Sequence, residues 1–219
     1  MEILREPVAP KYLRVPEYSP MWEIAANIDK CDECYLCDMP HVLWRGNPYA
    51  RIAVVGQCPG KQEHHKGIPW CGPAGHLLDK AFASVDMDTN EDAFITNIVK
   101  ARPIAPAQTG KENLDPSAEA ARICSRFVQR ELEAINYLQV IILAGKVAAV
   151  GMNAADSNEP MYRIAGKVRS IPIGGRDIPA VTIYHTAALL HNRDPKRDKE
   201  MRWSIYNSLK TVKEIAFCM

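Results

Sequence analysis

The chain has 219 residues, 47% hydrophobic and 24% charged, with a formal net charge of +1. That length suits one α/β domain or two very small ones, and it excludes neither a sizeable core nor an enzyme. The near-neutral balance gives no global basic signal for nucleic acid, although a local basic face depends only on where the charges sit. No apolar run approaches the roughly 18–20 residues that span a bilayer. The start, MEILREPVAPKYLRVPEYSP, is charged and Pro-rich and lacks the apolar stretch of a signal peptide. A cytoplasmic, reducing setting without a membrane partner is therefore expected.

In chain order, residues 1–30 read as an N-terminal arm that ends in a short helical piece, MWEIAANID, and residues 31–219 read as the domain. The domain opens on CDECYLC, in which Cys31, Cys34 and Cys37 repeat the CxxC spacing. The full count of seven cysteines is odd, which argues against a disulfide framework and favours a metal or cluster. RIAVV, residues 51–55, is a buried strand ending at Gly56. A long loop, GQCPGKQEHHKGIPWCG, leads to a helix from near Ala74 to about Ser84. AFITN, residues 93–97, is a second strand, followed by a Pro-rich polar stretch. Asp115-Pro116 offers an N-cap and a first-turn proline for a helix over 117–135. QVIIL is a third strand, AGKVAAVGM opens another helix, and strands are expected over 168–173 and 180–184. Asp194-Pro195 starts a final helix that ends near Ala216.

Strands alternate with helices, so the expected fold is a single α/β domain with a mostly parallel central sheet flanked by helices on both faces. Ligands of such sheets bind beyond the carboxyl ends of the strands. Residues 56–72, 97–103 and 185–192 would gather there.

Four segments carry a resemblance. They are GQCPGKQEHHKGIPWCGPAGHLL, TNIVKARP, AGKVAA after QVIIL, and HTAALL. In this order they resemble the motifs of the uracil-DNA glycosylase superfamily, most closely its iron–sulfur type, often called family four. The resemblance covers roughly residues 31–210. It implies an enzyme that extrudes uracil, or a related deaminated base, from DNA into a closed pocket and hydrolyses its glycosidic bond. By resemblance, Trp70 stacks on the base, Asn97 reads its edge, Cys58 joins them in binding it, and His185 donates to O2 as charge develops there. Leu189 is where the family inserts an apolar wedge into the duplex. Taken singly, Trp70 reads as core, Asn97 as a turn residue and His185 as a satisfied buried histidine; their joint spacing favours the pocket. His64 and His65 read as exposed loop residues.

Two departures matter. The family carries Glu where this chain has Gln57, and related branches place Asp or Asn at the position of Cys58. A Gln can orient water but cannot take its proton, and an ordinary thiol, with a pKa of about 8.5, stays mostly protonated. Glu63 is the remaining carboxylate expected to orient water with Gln57. Thr186 replaces the usual Pro and is expected to loosen its loop. The second departure concerns the four cluster ligands. Cys31, Cys34 and Cys124 match three of them, while Ala101 stands at the fourth and cannot ligate. Cys37 is the replacement, giving a [4Fe–4S] cluster on Cys31, Cys34, Cys37 and Cys124, with zinc or no metal as alternatives.

Lys61, Lys100, Arg102, Lys111, Arg193, Lys196 and Arg197 lie near the motif loops and are candidates for phosphate contacts. The partner expected is uracil-containing DNA, single- or double-stranded, met by a monomer in a prokaryotic or phage-type cytoplasm. An alternative is a homologue that binds DNA or a flipped base without cutting. A third reading is an interaction protein that docks through its first 30 residues.

Overall fold

The computed structural model describes residues 19–104 and 114–218. Helix α1 spans Pro20–Asp29, its first turn closed by Ser19, whose Oγ accepts from the Met21 amide. Two short edge residues, Arg45–Gly46, form β1, and β2 follows at Ile52–Gly56. The long loop is not wholly a loop: Lys61–Lys66 form a helix, α2, which carries His64 and His65. Helix α3 runs over Pro73–Ala83, β3 over Ala93–Asn97 and α4 over Ala118–Glu133. Strand β4 is Val140–Ala144, α5 is Lys146–Gly151 and α6 is Met161–Ile164. Strands β5, Val168–Ile173, and β6, Arg176–Ile183, precede α7, Ala187–His191, and α8, Pro195–Phe217.

The six strands lie in the order β1-β3-β2-β4-β6-β5. The four central strands are parallel, and both edges are antiparallel. Strands β5 and β6 form a hairpin through Gly174-Gly175, both at positive φ, which is the backbone that a tight hairpin turn demands. The single mostly parallel α/β domain expected from the sequence is thus present, with an antiparallel strand at each edge.

Side chains of the central strands alternate between two apolar layers. Ile52, Val54, Ile95, Ile142 and Val181 face the layer that holds Leu78 and Phe82 of α3 and Ile205 and Leu209 of α8. Ala53, Val55, Phe94, Ile141 and Leu143 face the other, with Phe127 and Leu132 of α4. Helix α1 belongs to this second layer. Met21, Ile24, Ala25 and Ile28, one face of a 3.6-residue repeat, are buried there and α1 packs on α4. The expected break at residue 30 therefore does not coincide with a gap in packing. The remainder of the expected arm, residues 1–18, lies outside the described residues.

Candidate active site

Strands β2 and β3 are neighbours in parallel register, with Gly56 opposite Asn97 at their carboxyl ends. Beyond them the backbones stay joined: the Ile98 amide donates to Gly56 O at 2.9 Å, and the Val99 amide to Gln57 O at 3.0 Å. Two strands away, β6 ends at Ile183 and delivers His185 to the same edge. Trp70 arrives from the loop before α3. Its ring stacks on His185, with centroids 4.8 Å apart and planes at 17°. It also lies hard against Gly56, where an added Cβ would sit 2.5 Å from Trp70 Cζ2 and would overlap Asn97 Oδ1. Trp70, Asn97 and His185 therefore share one small volume above Gly56. Trp70 and Asn97 are 4% and 2% exposed.

Trp70 sits at φ 57, a left-handed conformation that costs a bulky residue about 1–3 kcal/mol. The surroundings over-determine it. Its Nε1 donates to Thr96 O at 3.4 Å, and its own carbonyl packs against the Cα of Gly75, where any side chain would collide.

The Ala187 amide donates to His185 Nδ1 at 3.1 Å. A backbone N–H can only donate, so Nδ1 carries a lone pair and the ring proton resides on Nε2. Although the residue keeps some contact with solvent, protein atoms crowd the ring, and this burial pushes its pKa down to about 4. Near neutral pH His185 is thus an uncharged imidazole with an Nε2–H donor. Thr186 does not loosen the loop. It is fully buried, and its hydroxyl donates to Ala74 O at 2.7 Å, tying the His185 loop to the start of α3.

The water-orienting candidates separate. Glu63, on α2, accepts from the Gly72 amide at 3.2 Å and packs against Gly60, so it clips the loop that presents Trp70. Gln57 Nε2 donates to Asp115 Oδ1 at 2.5 Å across 58 residues of sequence. Asp115 is not the helix cap expected of it. Ser117 caps α4, its Oγ accepting from the Ala120 amide. Burial, with Asp115 and Glu63 nearby, pushes the Cys58 thiol up to about 12.

Leu189, on α7, is buried at 8% exposure, whereas Leu190 beside it is 46% exposed. The exposed apolar residue of this turn is one position later than expected. Arg193, Lys196 and Arg197 are exposed just beyond it. Lys100 is not a phosphate ligand. Its Nζ is buried and bonds Glu131 at 2.7 Å and Thr96 Oγ1 at 2.7 Å, beneath the end of β3. Arg102 is buried as well, and Lys111 lies outside the described residues.

Cys31, Cys34, Cys37 and Cys124 line one small cavity together with Ala101 and His41. The docking of α1 on α4 brings Cys124 to the turns after α1, where the Cys37 amide donates to Cys34 O. Arg126 donates to Cys31 Sγ at 3.6 Å while paired with Glu33. Among the described residues, no three His, Cys, Asp or Glu side chains form a ready site for a single metal ion. The four thiols around a shared cavity are a donor set that fits a cluster or a tetrahedral zinc ion.

Residues 43–210 match the family described as the Uracil DNA glycosylase superfamily. The chain is 33% identical to a type-4 uracil-DNA glycosylase of Archaeoglobus fulgidus, over 81% of this chain and 87% of the relative. It is 31% identical to one of Saccharolobus solfataricus, over 77% and 76%, and 30% identical to one of Thermotoga maritima, over 78% and 83%.

Proposed function

Because the chain belongs to the uracil DNA glycosylase superfamily, we propose that it hydrolyses the bond between uracil and deoxyribose in DNA, the opening step of base excision repair. The convergence of Trp70, Asn97 and His185 over Gly56 carries this reading. The uracil leaves the base stack and enters the strand-end pocket. Indole and imidazole are already in contact, so base entry shifts Trp70, and the base replaces His185 as its stacking partner. The Asn97 carboxamide offers a donor and an acceptor to the N3–H and O4 edge. His185 is neutral, and its Nε2–H points a donor at O2, where charge accumulates as the glycosidic bond breaks. A neutral donor suits this task because it meets a developing anion without first needing a proton. Exposed Leu190 fills the space left in the duplex, and Arg193, Lys196 and Arg197 meet the phosphates.

Cys31, Cys34, Cys37 and Cys124 would hold a [4Fe–4S] cluster. When bound, its thiolate bonds would tie the segment after α1 to α4. Ala101 lies in the same cavity, which supports Cys37 as the fourth ligand. Iron and sulfide analysis of anaerobically purified protein, with a Cys37→Ala variant, tests this. A colourless, iron-free parent would refute it.

The function itself is tested on single- and double-stranded oligonucleotides with one uracil. Abasic sites that disappear with His185→Ala are expected. Gln57, an amide where the family has an acid, favours a second reading in which DNA is bound and left intact; binding without abasic sites would establish that one.

A further inference from the structure

We infer that Asp115 supplies the carboxylate that takes a proton from the attacking water, held in place by Gln57; this deepens the glycosylase reading and rests on it. Four groups are candidates for the proton acceptor: Gln57, Cys58, Glu63 and Asp115. Gln57 has no basic atom. The Cys58 thiol is held far from ionisation by burial and by two nearby carboxylates. Glu63 accepts from the Gly72 amide through Oε1 and lies against Gly60, so it clips the Trp70 loop. Asp115 is acidic and the more exposed of the two carboxylates. Ser117 has taken over the capping of α4, which leaves the Asp115 side chain free to cross to the end of β2. There one oxygen, Oδ1, accepts from Gln57 Nε2, while Oδ2 has no hydrogen-bond partner among the described residues and can accept from a water. Gln57 directly follows Gly56, against which Trp70 and Asn97 pack, so the amide–carboxylate pair is anchored one residue along the chain from that wall. A carboxylate on the residue after Gly56 is thus replaced by an amide–carboxylate pair assembled from two distant segments.

The step balances. The water oxygen bonds to C1′ of the deoxyribose as the C1′–N1 bond breaks. The bonding pair leaves with the uracil ring as an anion steadied by the His185 Nε2–H. The proton of the water passes to Asp115 and then to solvent, and the uracil anion takes one proton from solvent. The products are uracil and an abasic deoxyribose.

The test uses the full chain and single-turnover uracil release from a uracil-containing oligonucleotide. Binding is measured on the same DNA carrying an uncleavable 2′-fluoro analogue, and thermal unfolding checks the fold. Asp115→Asn is expected to slow release about 10²–10⁴-fold, the usual worth of a general base, with binding and unfolding temperature unchanged. Adding Gln57→Glu to Asp115→Asn is expected to recover most of the rate, because the acid then stands on β2 itself. Release by Asp115→Asn within threefold of the parent's, roughly the scatter expected for a surface change, would overturn the inference and leave the glycosylase reading intact. No release by the parent, with binding retained, would overturn both.

Discussion

Replacing Gly56 by Ala probes whether the pocket is built as described. Gly56 lies in a strand and has no positive φ, so its backbone admits an alanine without strain. The cost arises from the new methyl. It would lie 2.5 Å from Trp70 Cζ2 and 2.8 Å from Cε2, and would overlap Asn97 Oδ1. Neither neighbour can yield cheaply, since Trp70 is stacked on His185 and Asn97 is buried. Overpacking of this kind costs about 1–3 kcal/mol, while the lost freedom of the unfolded chain returns about 0.4–1 kcal/mol. A net loss of about 1–2 kcal/mol lowers Tm by about 2–8 °C for a chain of this size. Calorimetry measures that loss, and uracil release from DNA should fall further than the stability does, because the indole is pushed across the pocket. A Tm within about a degree of the parent's, together with full uracil release, would refute the packing of Trp70 and Asn97 on Gly56.

His185 makes stability depend on pH. Its folded pKa of about 4 lies below the ordinary 6.5, so between those values the unfolded chain binds a proton that the folded chain refuses. Stability should fall by up to about 3 kcal/mol as pH drops through that window, and urea titrations of His185→Gln should lose this slope. Lys100→Met should cost about 3–5 kcal/mol by leaving Glu131 buried and unpaired, and adding Glu131→Leu should recover much of it in the same assay. Leu189→Ala should cost about 2–5 kcal/mol as a core truncation. Leu190→Ala should stay within about 0.5 kcal/mol of the parent yet bind uracil-containing duplex more weakly in a gel-shift titration.

Much of the fold is legible because its signals are local. RIAVV, AFITN and QVIIL are short apolar runs, and each lies in a central strand. Asp194-Pro195 starts α8 as its residue types demand, with the Lys196 amide donating to Asp194 Oδ1 at 3.0 Å. The misses are of two kinds. The two-residue β1 and the short α2, α6 and α7 carry too few residues to show a period. The hairpin of β5 and β6 did leave a signal, Gly174-Gly175, between two strands that alternation with helices made appear parallel.

Through its family resemblance the sequence grouped Trp70, Asn97 and His185 at one site and Cys31, Cys34, Cys37 and Cys124 at another. It could not say what each side chain touches. Lys100 and Arg193 are alike as cations in a motif loop, yet one is buried against Glu131 and the other exposed, since burial depends on what α4 brings across the sheet. Leu189 and Leu190 are the same residue type one position apart, and only the docking of α7 decides which of them is covered. Asp115, before Pro116, is the cap that the sequence suggests. The chain instead caps with Ser117 and sends Asp115 to Gln57, a contact across 58 residues that no local propensity encodes. The sequence by itself determined the elements and the chemistry available at their ends. Tertiary packing decided which of those groups are desolvated, paired or left open to water, because those properties depend on neighbours distant in the chain.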